Sequence, residues 1–461
     1  MLLEGLDEFQ RKAVSSPGNT LVVAGPGAGK TRVLLSRAQD LLSRGLSPAR
    51  LFLLTFTVRT AGELRRRLAA AGVNGATVET FHAFAYRLAR DLGRDPLALD
   101  EEDDYRALFD LAAGHPLEEQ EIHLLIDEFQ DLSPELIEFL SRFRRATFFL
   151  VGDPAQAIYG FRGARPEVAL DFARSLPGLT VCPLLRSYRV PEVILRAALP
   201  LRDDFGLGVA ELEAVVPGGE IGGLAYAGVE AEAKAVAGLI VEALGGLQME
   251  ESRGGLSPGQ IAVVARVRRV LNPLKKALSA RGVPVVSQEE KKKQCQEELG
   301  ALCEKARGEK DCSSLLAHLQ DLPLEIVPEV EEIIASSRDL DEVLFRLGLL
   351  RLQQEVLADQ TAVNLMTIHE AKGLEFPLVI LLGAEDGLLP LRFWPDTDEA
   401  EEKRLAYVAL TRSAGRFVFT VAKKRHLFGQ ALSGKVSPYF SHLPLAEPRR
   451  KRQTRRQKSL F

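Results

Sequence analysis

The chain has 461 residues and 50.6 kDa, is 46% hydrophobic and 26% charged, and carries 59 Lys and Arg against 63 Asp and Glu. It is too apolar for a disordered chain and too charged for a membrane-embedded one, and its length allows two to four domains of about 100–200 residues each. A net charge of −4 and a pI near 6.1 give no bulk basicity, but seven basic and no acidic residues lie between Arg449 and Lys458, which leaves −11 for the rest. The cysteines, Cys182, Cys295, Cys303 and Cys312, form no Cys-x-x-Cys pair, so a reducing compartment is expected. The start, Met1 to Glu8, lacks a basic segment followed by an apolar one, and no run of about 18 apolar residues occurs. These features predict a soluble, cytoplasmic protein.

In chain order, short apolar runs alternate with longer amphipathic stretches, the pattern of βα units on parallel sheets. Strands are predicted at Thr20–Val23, Leu51–Thr55, Ile122–Ile126, Phe148–Val151, Ile261–Ala265, Val363–Met366, Leu378–Leu382 and Phe417–Val421. They fall into two groups with a break near Leu184, which predicts two α/β lobes in tandem. Two segments depart from the alternation: the acidic stretch 91–120, and 288–359, which is charged, poor in β-branched runs and read as a helical insertion.

The sharpest feature follows the first strand: Ala24, Gly25, Pro26, Gly27, Ala28, Gly29, Lys30 and Thr31, leading into a helical pattern that starts at Thr31. A glycine-rich turn between strand and helix points backbone N–H groups at phosphate oxygens, and the helix N-terminus adds its positive end. Lys30 would reach the β/γ-phosphates and the Thr31 hydroxyl would ligate Mg²⁺. Ala24 stands where this motif begins with glycine, which leaves the phosphate-facing Gly27 and Gly29 in place. Further on, the apolar run ending at Ile126 delivers Asp127 and Glu128 to a strand's C-terminal edge, where open α/β sheets bind ligands. There Asp127 can hold Mg²⁺, and Glu128 can orient and deprotonate an attacking water.

Beyond these, the chain resembles the superfamily 1 DNA helicases of the UvrD/Rep/PcrA type, with their motifs in family order. Leu6-Asp-Glu-Phe9-Gln10 is similar to the N-terminal glutamine motif, Thr55-Phe56-Thr57 with Ala61-Gly-Glu63-Leu-Arg65 to motif Ia, and Thr80-Phe81-His82-Ala-Phe84 to motif Ib. Asp127 to Asp131 matches motif II, and Val151 to Ala164, containing Gln156, Tyr159, Phe161 and Arg162, matches motif III. Leu184 to Arg189 resembles motif IV with Ser187 in place of the usual Asn, Val363 to Phe376 matches motif V, and Glu401 to Arg412 matches motif VI.

The resemblance implies a P-loop NTPase of two RecA-like parallel-sheet lobes with ATP and Mg²⁺ between them. The first lobe would span 1–183, with 91–120 a vestigial insertion; the second would span 184–287 and 360–446, with 288–359 a small helical insertion and 447–461 a basic tail. Gln10 would read the adenine edge, Arg32 and Tyr188 would stack on its faces, and Glu375 would accept from the ribose. Gln156 would sense the γ-phosphate, and Arg189 and Arg412 would supply positive charge to the transition state. Phe56, Phe81, His82, Tyr159, Phe161, Arg162, Thr367 and His369 lie in motifs that contact single-stranded DNA in the family. Aromatic platforms among polar groups suit sequence-independent binding; packing is the alternative for Phe56, Phe81 and Phe161. The implied function is ATP-dependent 3′–5′ translocation on single-stranded DNA with unwinding, in DNA repair or replication.

The family is usually much longer, with a large insertion in each lobe; here the first is nearly absent and the second reduced. The segment Arg425 to Lys435 lies where relatives carry a strand-separating hairpin with an aromatic tip, and it is read as lacking that aromatic, so weak strand separation is expected. A translocase that strips proteins from DNA without separating strands is therefore an alternative, and a non-hydrolysing, clamp-tethered DNA-binding module is another. Cys295, Cys303 and Cys312 are spaced too widely for a metal site and read as packing residues. The end, Gln457-Lys-Ser-Leu460-Phe461, resembles the short motif by which bacterial proteins dock on the sliding clamp.

Overall fold

The computed structural model describes residues 5–96, 105–160, 163–203, 205–207, 212–245, 255–309, 313–322, 326–352, 358–393 and 397–446. Phe161, Arg162, Cys312, Gln457, Leu460 and Phe461 lie outside the described residues.

Asp7 starts helix α1 (Glu8–Ser15) through a capping box: its side chain accepts from the Gln10 N–H at 2.7 Å, and the Gln10 side-chain oxygen accepts from the Asp7 N–H at 3.2 Å. The buried run β1 (Thr20–Ala24) feeds α2 (Lys30–Ser43), which buries Val33, Leu34, Ala38 and Leu41 at helical spacing. There follow β2 (Leu51–Thr55), α3 (Val58–Ala70), β3 (Thr77–Thr80), α4 (Phe81–Asp91), α5 (Tyr105–Leu111), β4 (His123–Ile126) and α6 (Pro134–Ser141). The first lobe closes with β5 (Thr147–Gly152), α7 (Pro166–Ser175) and β6 (Thr180–Leu184). All six strands are parallel, in the order β3-β2-β4-β5-β1-β6. Leu21 and Val23 enter one apolar cluster and Val22 and Ala24 another, so the sheet is covered on both faces.

The chain crosses through β7 (Arg186–Ser187), α8 (Glu192–Ala198) and β8 (Glu213–Ala214) into β9 (Glu220–Tyr226), α9 (Val229–Ala243), β10 (Ile261–Ala265), α10 (Asn272–Ser279) and β11 (Val285–Ser287). Three helices follow, α11 (Gln288–Ala306), α12 (Val327–Ser336) and α13 (Leu340–Leu352), before β12 (Val363–Thr367), β13 (Phe376–Leu382), α14 (Glu399–Thr411) and β14 (Ser413–Ala422). The hairpin strands β15 (His426–Leu427) and β16 (Gln430–Ala431) and the short β17 (Leu445–Ala446) end the described chain. The second sheet is also parallel, in the order β11-β12-β10-β13-β14-β9-β17.

Helices α11 to α13 leave the second sheet at the C-terminal end of β11 and dock on the first lobe. Their apolar cluster takes in Val58 at the start of α3, and Phe345 stacks on Tyr86 of α4 with centroids 4.1 Å apart. Charge complementarity surrounds that contact: Arg59 pairs with Glu329 at 2.7 Å, Arg65 and Arg66 with Glu332, Arg90 with Asp339 at 2.8 Å, and Arg338 with Asp91 at 2.7 Å. Among the described residues, no helix is long and apolar enough to cross a membrane.

Candidate nucleotide site and nucleic-acid face

The turn after β1 sets Gly27 at φ +71° and Gly29 at φ +82°, left-handed values that a side chain would strain. A Cβ on Gly27 would lie 2.6 Å from the Arg189 Cβ, and one on Gly29 would lie 2.8 Å from Gln10 Nε2. No side chain caps α2 at Gly29, so its first N–H groups face the cradle. The Tyr188 N–H donates to the Gly27 carbonyl at 3.0 Å, and the Ser187 hydroxyl donates to the Pro26 carbonyl at 2.7 Å. Serine at position 187 therefore ties motif IV directly to the phosphate loop. Beside it, Gln10 Nε2 donates to the Ala28 carbonyl at 3.0 Å, the Tyr188 hydroxyl bonds Asp7 at 2.5 Å, and Arg32 lies against Gly5. The structure thus gathers Gln10, Arg32 and Tyr188 along one side of the loop.

Asp127, at the end of β4, is 4% exposed; burial and then the neighbouring Glu128 charge raise its pKa. Glu128 adopts φ +50° and pairs with Lys30 at 2.5 Å. Burial opposes its ionisation, but Lys30 and Lys372 outweigh that and hold Glu128 well below the usual carboxylate range. From this pair a relay of hydrogen bonds crosses the lobes. Gln130 Nε2 donates to Glu128 at 2.6 Å, the Asp153 N–H donates to Gln130 Oε1 at 3.0 Å, and Gln156 Nε2 donates to Asp153 Oδ2 at 2.8 Å. Arg412 Nη2 then reaches Gln156 Oε1 at 3.4 Å. Arg412 is 1% exposed; burial, and next the charge of Arg189, push its pKa down to about 9, so it is cationic at neutral pH. Arg189 pairs with Glu375 at 2.9 Å, which occupies the carboxylate expected at the ribose. The glycine cradle, the buried Arg189 Nε without a partner and the Lys30, Thr31 and Asp127 donor set fit a nucleoside triphosphate with a divalent cation.

The expected DNA-contacting residues divide. Phe56, Tyr159, Thr367 and His369 are half-buried and follow or end strands at the C-terminal edges of the two sheets. Phe81 is corrected: its ring is fully buried in the first lobe, edge-on to Phe56 at 5.0 Å, and offers no face to a base. His82 stacks on Phe109 at 5.6 Å, and burial pushes its pKa down to about 4, so it is a neutral group rather than a phosphate cation. Thr367 accepts from and donates within its own turn, bonding Glu370. Among the described residues, Cys182, Cys295 and Cys303 form no disulfide with one another.

Several residues were missed from sequence. Gln130 and Asp153 are links in the relay, and Lys372 makes a buried pair with Asp131 at 2.6 Å while its Nζ lies 4.4 Å from the Tyr159 ring centroid. The expectation that the segment from Arg425 lacks an aromatic tip is also corrected. His426-Leu427 and Gln430-Ala431 form an antiparallel hairpin whose two-residue turn is Phe428 (φ +51°) and Gly429 (φ +78°). Phe428 is 43% exposed and rests edge-on against Phe393, 5.2 Å between centroids.

Two parallel-sheet lobes joined by a relay from a phosphate loop to Arg412 of the second lobe define a tandem RecA-like P-loop NTPase. Family comparison agrees: an AAA domain profile matches residues 10–162 and a UvrD-like helicase C-terminal domain profile matches residues 289–424. The chain is 26% identical to DNA helicase II of Salmonella typhimurium, the alignment covering 96% of this chain and 88% of the relative. It is likewise 26% identical to DNA helicase II of Escherichia coli, and 24% identical, over 96% of this chain and 86% of the relative, to ATP-dependent DNA helicase PcrA of Bacillus subtilis. The first of these alignments runs over 635 positions, more than this chain has residues, so the relative carries segments that are absent here. Over nearly its whole length the chain is thus similar to the UvrD/Rep/PcrA-type superfamily 1 helicases.

Proposed function

We propose that this chain translocates 3′ to 5′ on single-stranded DNA and separates duplex strands, with hydrolysis at the cleft between its lobes. The observation that carries the hydrolytic part is the relay Lys30, Glu128, Gln130, Asp153, Gln156, Arg412, because it links the water-activating carboxylate to a charge from the opposite lobe. Gly25, Gly27, Ala28 and Gly29 would cradle the phosphates, Gln10, Arg32 and Tyr188 would hold the adenine, and Thr31 with Asp127 would hold Mg²⁺. That cation, when bound, neutralises phosphate charge. Lys30 must leave Glu128 to meet a phosphate, which frees the carboxylate to accept a proton from water. Arg189 and Arg412 then stabilise charge on the transferring group only when the lobes close.

Strand separation is supported by the exposed Phe428 at a tight hairpin turn, a flat apolar edge suited to stack on the first base pair of a junction. This favours the unwinding reading over a translocase that only displaces proteins. Phe428→Ala should lower displacement of a strand from a 3′-tailed duplex while single-strand-stimulated ATPase persists; equal unwinding by the variant would refute the wedge role. A role in repair or replication, and clamp docking through Gln457, Leu460 and Phe461, rest on the sequence resemblance. Calorimetry with a bacterial sliding clamp tests the latter, since deletion of 457–461 should abolish binding.

A further inference from the structure

A hairpin with two residues per strand does not hold itself in water. Among its own side chains only Leu427 is buried; Phe428, Gly429, Gln430 and Ala431 are all exposed. Something else must fix its direction, and that group lies at its base. Arg425, the residue before β15, is 3% exposed and inserts its guanidinium between two buried carboxylates, Glu232 of α9 (1%) and Glu385 of the loop after β13 (0%). Nη2 reaches Glu232 at 2.5 Å and Glu385 at 3.1 Å, and Nε reaches Glu385 at 3.2 Å. The carboxylates are themselves oriented: Glu232 accepts from the Thr420 hydroxyl at 2.7 Å, and Glu385 accepts from the Ala422 N–H at the end of β14. The Leu432 N–H returns to the Arg425 carbonyl at 2.9 Å, closing the far side of the hairpin. The Glu385 loop continues to Phe393, which supports the Phe428 ring, and its Leu391 N–H donates to Glu402 of α14, the helix that ends beside Arg412.

We propose that Arg425, clamped by Glu232 and Glu385, is the positioning residue that makes the hairpin a rigid wedge, so that motion of the second lobe is delivered to the Phe428 tip. The proposal rests on the wedge reading of Phe428. A buried ionic triad gains little net stability over apolar side chains of similar volume. What it supplies is direction: a planar guanidinium bonded to two carboxylates has one seating, whereas a greasy contact slides. Burial pushes Glu385 up to about 7, with the Arg425 charge opposing that rise.

The test compares Arg425→Met, Arg425→Lys, Glu385→Gln and Phe428→Ala in the full chain, by single-strand-stimulated ATPase, translocation rate, and displacement from a 3′-tailed duplex. If the wedge must be held to within about an ångström, Arg425→Met and Glu385→Gln keep ATPase and translocation within about twofold but unwind at least about tenfold more slowly. Arg425→Lys, which keeps the charge, recovers part of that loss. The proposal is overturned if Arg425→Met and Glu385→Gln unwind like the parent while Phe428→Ala does not. It is equally overturned if both lose ATPase and unwinding by the same factor, which marks a folding defect rather than a positioning one. Normal unwinding by Phe428→Ala would refute the wedge reading itself and this proposal with it.

Discussion

Replacing Glu128 by Gln should move two quantities in opposite directions. The side chain is now shared between Lys30 at 2.5 Å and Gln130 at 2.6 Å. Losing a general base typically costs about 10²–10⁴ in rate, equivalent to about 3–5 kcal/mol on the barrier. Binding should improve instead. The Lys30–Glu128 pair is 16% and 32% exposed at its two side chains, so its net worth is about 1 kcal/mol or less. ATP must break that pair to recruit Lys30, and the glutamine variant has no such pair to break. Its ATP dissociation constant should fall by up to about fivefold. Phosphate release in the presence of single-stranded DNA measures the first effect and calorimetry with ATP the second. Turnover within tenfold of the parent, or weaker ATP binding, would refute the reasoning.

Gly27→Ala should weaken ATP binding by at least about tenfold, since a left-handed residue with a side chain costs about 1–2 kcal/mol and its Cβ would strike Arg189; unchanged calorimetric affinity would contradict this. Glu332→Lys should destabilise the chain by about 1–3 kcal/mol, because it replaces attraction to Arg65 and Arg66 with repulsion. Added salt should shrink that difference in denaturant unfolding. The His82 imidazole is held neutral down to about pH 4 in the folded state, whereas the unfolded chain takes up a proton below about 6.5. Stability should therefore fall as pH drops from about 6.5 toward 4, by about 2 kcal/mol after discounting for partial exposure. Denaturant unfolding across that range should be flatter for His82→Gln.

The interior strands were legible because burial on both faces makes them continuous apolar runs: Leu51–Thr55 and Ile261–Ala265 have the predicted bounds. In the two large sheets, the strands that were missed lie at or next to an edge and lack that run. Thr77–Thr80 alternates, Thr180–Leu184 contains Pro183, Glu220–Tyr226 contains Gly222 and Gly223, and Val285–Ser287 is three residues long. Phe81 was readable as core, since with Phe84, Ala85 and Leu88 it follows the helical period of α4's buried face. Phe428 was harder: Phe-Gly is an uncommon two-residue turn, where Asn-Gly or Asp-Gly would have announced a hairpin. The seating of α11 to α13 on the first lobe, the Lys30–Glu128 pair and the Arg425 triad each depend on residues far apart in sequence, and no local pattern encodes them.

The most direct test of the whole account is strand displacement from duplexes with a 3′ or a 5′ single-stranded tail, run with ATP and Mg²⁺ alongside ATPase measured with and without single-stranded DNA. The expected result is ATPase stimulated by single-stranded DNA and displacement from the 3′-tailed duplex alone, with Phe428→Ala lowering the displacement and sparing the ATPase. Displacement only from 5′ tails, or an ATPase indifferent to single-stranded DNA, would contradict it.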